Sequence, residues 1–148
     1  MKTRVQAHVA YRLFYHVIWI TKFRREVLIS GVAEYTDKTI RSITSDSYPD
    51  VVIEELNIRQ DHIHMLAVIP PKYSISNVIR VIKSESSRKI RKEFEYLRRY
   101  DSLWSIGYFV GSVGMDEQRI RRYVELSSTH FFRHTFYEFL FKLNRTHL

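Results

Sequence analysis

Residues 51–71 read "VVIEELNIRQDHIHMLAVIPP". Two runs rich in β-branched and aliphatic residues, Val51–Ile58 and His62–Ile69, are separated only by Arg59, Gln60 and Asp61. So short a polar connection between two strand-like runs predicts an antiparallel hairpin. Pro70 and Pro71 end the second run, because proline has no N–H to give to a ladder. Side chains alternate along a strand, so His62 and His64 share one face while Ile63 anchors the other.

The hairpin organises what surrounds it. Upstream, "VAYRLFYHVIWIT" (9–21) is dense in aromatic and β-branched residues and predicts one long strand. Tyr11, Leu13, Tyr15, Val17 and Trp19 fall on one face, and Arg12, Phe14, His16, Ile18 and Ile20 on the other. Both faces are mostly apolar, which predicts a central strand covered on both sides. Residues 32–47 read as a helix with Val32, Tyr35, Thr39, Ile40 and Ile43 near one stripe. After the prolines, Ser74 or Ser76 caps a second helix expected to run to about Leu97, with Ile75, Val78, Ile79, Ile82, Ile90 and Phe94 inward. Residues 104–113 predict a fourth strand, and Asp116 caps a third helix, "DEQRIRRYVELSS". The order β-α-β-β-α-β-α predicts an α+β fold: a ferredoxin-like antiparallel sheet with helices packed on one face. A chain of 148 residues reads as a single domain (1–148), with a core over about 9–128 and an aromatic tail over 129–148.

The chain has no cysteine, which excludes disulfides and thiolate metal sites and fits a reducing, cytoplasmic setting. The apolar start is interrupted by Arg12 and His16, so neither a signal peptide nor a membrane span is expected. Net charge is +8 and aromatics make up 14%, a balance that suits nucleic acid: phosphates attract cations and bases stack on rings.

Two imidazoles at i and i+2 can grip one metal ion, or can simply stack and hydrogen-bond on a strand face. Two are too few ligands. Asp61 adjoins them, and pairing of 57 with 62 and 55 with 64 would bring Asn57 and Glu55 alongside. Imidazoles plus oxygens suit Mg²⁺ or Mn²⁺ without excluding Zn²⁺.

"QDHIHMLAVIPPKYSISNVIRVIKSESSRKIRKEF" (60–94) resembles the core of the HUH-superfamily single-tyrosine transposases of small single-strand insertion sequences, the insertion-sequence 200/605 type. His62-Ile63-His64, Pro70-Pro71 and Ser86-Ser87-Arg88 fill the family's places. "LWSIGYFVGSVGMDEQRIRRYVE" (103–125) resembles its second block, and "YHVIWITKFRREVL" (15–28) its first strand and basic exit. The resemblance implies that Tyr123 is the nucleophile, that His62 and His64 hold Mg²⁺ or Mn²⁺, that the substrate is single-stranded DNA with hairpin ends, and that the protein is a homodimer, joined through strand residues 9–20. It implies cleavage through a 5′-phosphotyrosine. Where the family commonly has a metal-facing glutamine this chain has Ser127, so the resemblance leaves two alternatives: Ser127 is a weak or water-mediated metal ligand, or another oxygen replaces it, with Glu55 and Asp61 as the candidates. Lys22, Arg24, Arg25, Lys83, Arg88 and Lys89 are candidate phosphate contacts. A relative that processes repeat hairpins, and a non-catalytic module binding single-stranded nucleic acid, are the competing readings.

Overall fold

A computed structural model describes residues 4–6, 9–11 and 14–113. Four strands form one antiparallel sheet: β3 (Phe14–Ile20), β4 (Val52–Ile58), β5 (His62–Val68) and β6 (Phe109–Val113). Their order is β4-β5-β3-β6, the ferredoxin-like arrangement expected from the hairpin. Helices α1 (Ser30–Ser47) and α2 (Ile75–Glu93) connect β3 to β4 and β5 to β6.

The helices cover one face, and alternation decides which residues meet them. Val17 and Trp19 of β3 and Ile63, Met65 and Ala67 of β5 pack with Val32, Ile40 and Ile43 of α1 and Val78, Ile79, Ile82 and Ile90 of α2. Phe14, His16, Ile18 and Ile20, of opposite parity, are buried on the far face with His64, Leu66 and Val68. The sequence-predicted core stripes of both helices therefore hold, as does the central position of β3.

The strand expected over 9–21 is divided. Val9–Tyr11 (β2) pairs with Arg4–Gln6 (β1) in a separate two-stranded sheet, and β3 begins at Phe14. Phe14 pairs with Val68, the last residue of β5. Beyond it come Pro70 and Pro71, which cannot extend the ladder. Phe14–Ile18 is paired on both sides, to β5 and to β6. A second copy therefore cannot add to those residues by strand pairing.

The fourth strand is also shorter than expected, starting at Phe109 rather than Trp104. Trp104 makes an isolated bridge to Thr21, and Gly107 turns the chain at φ 90°, a left-handed value suited to glycine. The carbonyls of Ser105 and Gly107 accept hydrogen bonds from Lys83 Nζ at 2.8 and 2.6 Å, so they serve a side chain instead of a ladder. Helix α2 ends at Glu93, and Glu95–Arg99 form a separate 3-10 turn, short of the single helix to Leu97. Of the two candidate caps, Ser74 is the one that accepts from a backbone N–H, that of Asn77.

Ser86 and Ser87 stitch α2 to the segment after it. The indole Nε1–H of Trp104 donates to Ser86 Oγ at 2.9 Å, and the Leu103 N–H donates to Ser87 Oγ at 3.1 Å. After β3, Phe23 and Arg24 both adopt left-handed backbone, at φ 58° and 52°. For non-glycine residues this costs about 1–2 kcal/mol each.

Candidate active site

The hairpin turn sets the register of the site. Ile58 pairs with Ile63 and Asn57 with His64, while Glu55 pairs with Leu66 and the register shifts between Ile53 and Glu55. The pairing of 57 with 62 and 55 with 64 is therefore displaced by two residues. Half-buried Asn57 lies beside His64, and Glu55 lies one alternate position further along the same face.

On the other side of β5, Ile20 pairs with His62, Ile18 with His64 and His16 with Leu66. His16 is thus the diagonal neighbour of His64 on the face opposite the helices. His16 Nε2 lies 3.2 Å from His64 Nδ1, and the two rings stack with centroids 5.3 Å apart. The His62 and His64 centroids are 4.9 Å apart. Three imidazoles form a row, of which sequence reasoning named two. The signal for the third was its parity with Ile18 and Ile20, but its partner is 48 residues away and depends on strand register.

Burial fixes the state of two members. It pushes His16 down to about 4 and is the largest cause holding His64 at about 3, with coulombic repulsion toward His62, His16 and Arg59 adding to it. Both are neutral at pH 7, the form in which an imidazole has a lone pair for a metal.

His62 Nδ1 donates to Asp61 Oδ1 at 2.7 Å, and Arg24 Nη2 donates to Asp61 Oδ2 at 3.3 Å. The His62 hydrogen bond is the main cause holding the Asp61 carboxyl below its usual range; Arg24 adds to it and burial opposes it. Each oxygen of Asp61 thus serves a neighbour, and its contribution to the site is to orient His62. With Nδ1 donating, the His62 lone pair sits on Nε2. The tautomer in which His64 Nδ1 donates to His16 does the same for His64. Metal-binding histidines are held by hydrogen bonds of this kind from outside the coordination sphere, so the two imidazoles fit a divalent ion. Among the described residues no three His, Cys, Asp or Glu side chains converge as a donor set. Tyr123 and Ser127 lie outside the described residues, as do the third helix and the tail.

The candidate phosphate contacts separate into two places. Lys22, Arg24 and Arg25 lie in the loop after β3. That loop is tied to the hairpin by the Thr21 N–H to Asp61 O (2.9 Å) and the Leu28 N–H to Gln60 O (3.0 Å). Lys83 and Arg88 line a cavity of about 510 Å³ between α2 and residues 101–108, together with Arg80, Arg91, Trp104 and Tyr108. Lys83 is part of its wall: burial lowers its ammonium to about 8, and it donates to two loop carbonyls. Arg88 pairs with Glu85 at 2.6 Å. Half-buried Lys89 is not among the residues lining the cavity.

A ferredoxin-like sheet with helices on one face and a His-hydrophobic-His pair on the other defines the HUH class of DNA-processing proteins. Within that class the chain belongs to the family described as "Transposase IS200 like", whose model matches residues 9–127. It is 30% identical over 122 residues to the transposase for insertion sequence element IS200 of Salmonella typhimurium, covering 80% of this chain and 79% of that one. It is 28% identical over 119 residues to the ISDra2 transposase TnpA of Deinococcus radiodurans, covering 78% and 84%. A crystal structure of a putative transposase from Deinococcus radiodurans is similar at a TM-score of 0.69 with 27% identity, over 82% of this chain and 95% of the other. The REP-associated tyrosine transposase bound to a REP hairpin shares the fold, at a TM-score of 0.58 and 13% identity over 84% and 68%. Among the described residues no helix is long and apolar enough to cross a membrane.

Proposed function

We propose that the protein is a transposase that cleaves and rejoins single-stranded DNA at element ends through a 5′-phosphotyrosine. The observation that carries this reading is the pair of hydrogen bonds, Asp61–His62 and His16–His64, that fix both imidazoles through Nδ1. His62 and His64 would hold Mg²⁺ or Mn²⁺ through Nε2. That ion supplies polarisation of the scissile phosphate and neutralises charge developing on it.

The remaining steps belong to the chain. The Tyr123 oxygen attacks phosphorus, a Tyr O–P bond forms, the P–O3′ bond breaks, and the departing O3′ takes up a proton. The link stores the phosphodiester energy, so rejoining needs no ATP. A 3′-hydroxyl then attacks the phosphotyrosine, restores a phosphodiester and returns the tyrosine hydroxyl. The arginines at 119, 121 and 122 favour the phenolate by their charge. The working form in this reading is a homodimer acting on DNA with hairpin ends.

The test is direct. The protein is incubated with Mn²⁺ and labelled single-stranded DNA carrying the element ends, and the products are denatured. A covalent DNA–protein adduct is expected, absent in Tyr123→Phe and in His64→Ala. Cleavage that persists in Tyr123→Phe rejects the tyrosine mechanism. Binding without cleavage under any divalent metal points to a non-catalytic module.

A further inference from the structure

Phe23 is 71% exposed. Its backbone stands at φ 58°, ψ 21°, and Arg24 follows at φ 52°. Two consecutive left-handed residues that are not glycine are retained only where surrounding bonds impose them. Here the Arg24 N–H donates to Thr21 O at 3.0 Å, and Thr21 Oγ1 donates to Arg25 O at 2.8 Å. The result is a large flat ring raised into solvent.

The ring stands among cations. Lys22 Nζ lies 5.6 Å and the Arg25 guanidinium 4.9 Å from its centroid. Arg25 also lies 3.8 Å over the Tyr100 ring, which Arg99 approaches at 5.1 Å. Ring and guanidinium thus alternate from Phe23 to Arg99. At the other end Arg24 is bound to Asp61, the partner of His62. The ladder therefore ends beside the imidazole row.

We propose that Phe23 stacks on an unpaired base of a DNA strand whose phosphates follow Lys22, Arg25 and Arg99 toward His62 and His64. This rests on the reading of the protein as a single-strand DNA transposase and extends it to a second contact on that strand. Cations alone would suit any polyanion. An exposed ring at their centre selects an unstacked base, since bases in a duplex have both faces covered by their neighbours. Stacking of this kind tolerates any base, because every base has a π-face.

The test uses metal-free protein and fluorescence anisotropy with a labelled single-stranded oligonucleotide carrying the element ends. Phe23→Ala lowers affinity about tenfold, and Phe23→Trp retains it. Phe23→Gly separates a ligand contact from a structural one: glycine relieves the left-handed backbone, so Tm rises while affinity falls. Unchanged binding in Phe23→Ala overturns the inference, and so does a Phe23→Gly protein that loses Tm along with affinity. Adduct formation in all variants with unaltered binding removes the stacking contact and leaves the tyrosine mechanism standing. Weaker binding in Phe23→Ala, in a protein whose wild type forms no adduct, does the reverse.

Discussion

Ser86→Ala tests how the Ser86-Ser87 pair of helix α2 is built into the molecule. Ser86 is fully buried, and its Oγ is the acceptor for the indole N–H of Trp104, itself 4% exposed. The Ser86 hydroxyl in turn donates to the carbonyl of Lys83 at 3.2 Å. Alanine leaves the Trp104 N–H buried without that acceptor, which costs about 1–3 kcal/mol. Alanine also improves helix propensity by up to about 0.5 kcal/mol. The net loss is about 1–2 kcal/mol. With a urea dependence of about 1.5–2 kcal/mol per molar for a domain of this size, the midpoint of unfolding falls by about 1 M. The control is the same substitution made in Trp104→Phe, where no indole N–H remains to be orphaned. There Ser86→Ala should be nearly neutral, because replacing both partners by apolar groups is cheap. Circular dichroism across a urea series gives all four stabilities. Equal costs of Ser86→Ala in the two backgrounds, within about 0.5 kcal/mol, would refute the stitch between Ser86 and Trp104.

Three further outcomes are expected. His16→Phe removes the partner of His64 Nδ1 and should weaken Mn²⁺ binding about 10–100-fold in titration calorimetry; unchanged affinity would sink the positioning role. In metal-free protein, His16 is held at about 4 against 6.5 in the unfolded chain, so its neutral burial favours folding above pH 6.5 and that stability is lost as pH falls through 4. Between pH 7 and 4.5 this amounts to about 2 kcal/mol, so urea midpoints of wild type should fall more steeply with acid than those of His16→Phe, and parallel curves would contradict it. Asp61→Asn keeps the size of the side chain but removes the carboxylate shared by His62 and Arg24. Adduct formation should drop about tenfold with Tm changed by no more than a few degrees, because the Arg24 pair is partly exposed and such pairs contribute little; full activity would show that His62 does not depend on it.

What the chain's own letters revealed divides by range. The hairpin over 51–69 was legible because it is local: two apolar runs, three polar residues and two prolines leave little choice. The helix stripes were legible for the same reason. The partner of His64 was not, because it is fixed by the pairing of β3 with β5 across 48 residues. Glu55 and Asn57 were placed two residues out because the turn centres on Gln60 and Asp61, with the Arg59 N–H bonded to the His62 carbonyl, one residue later than a pairing of 57 with 62 requires. The strand assigned to 104–113 fell short because Lys83 takes the carbonyls of Ser105 and Gly107. Pattern alone had made that lysine a phosphate contact.

The hydrogen bonds behind His62 and His64 also bear on timing. Both rings are turned by protein groups, Asp61 and His16. An ion held there as proposed would meet a finished half-site. Under the function proposed above, such an ion would act as an exchangeable reagent, taken up and released between rounds of cutting and joining, with both imidazoles already oriented by the chain itself.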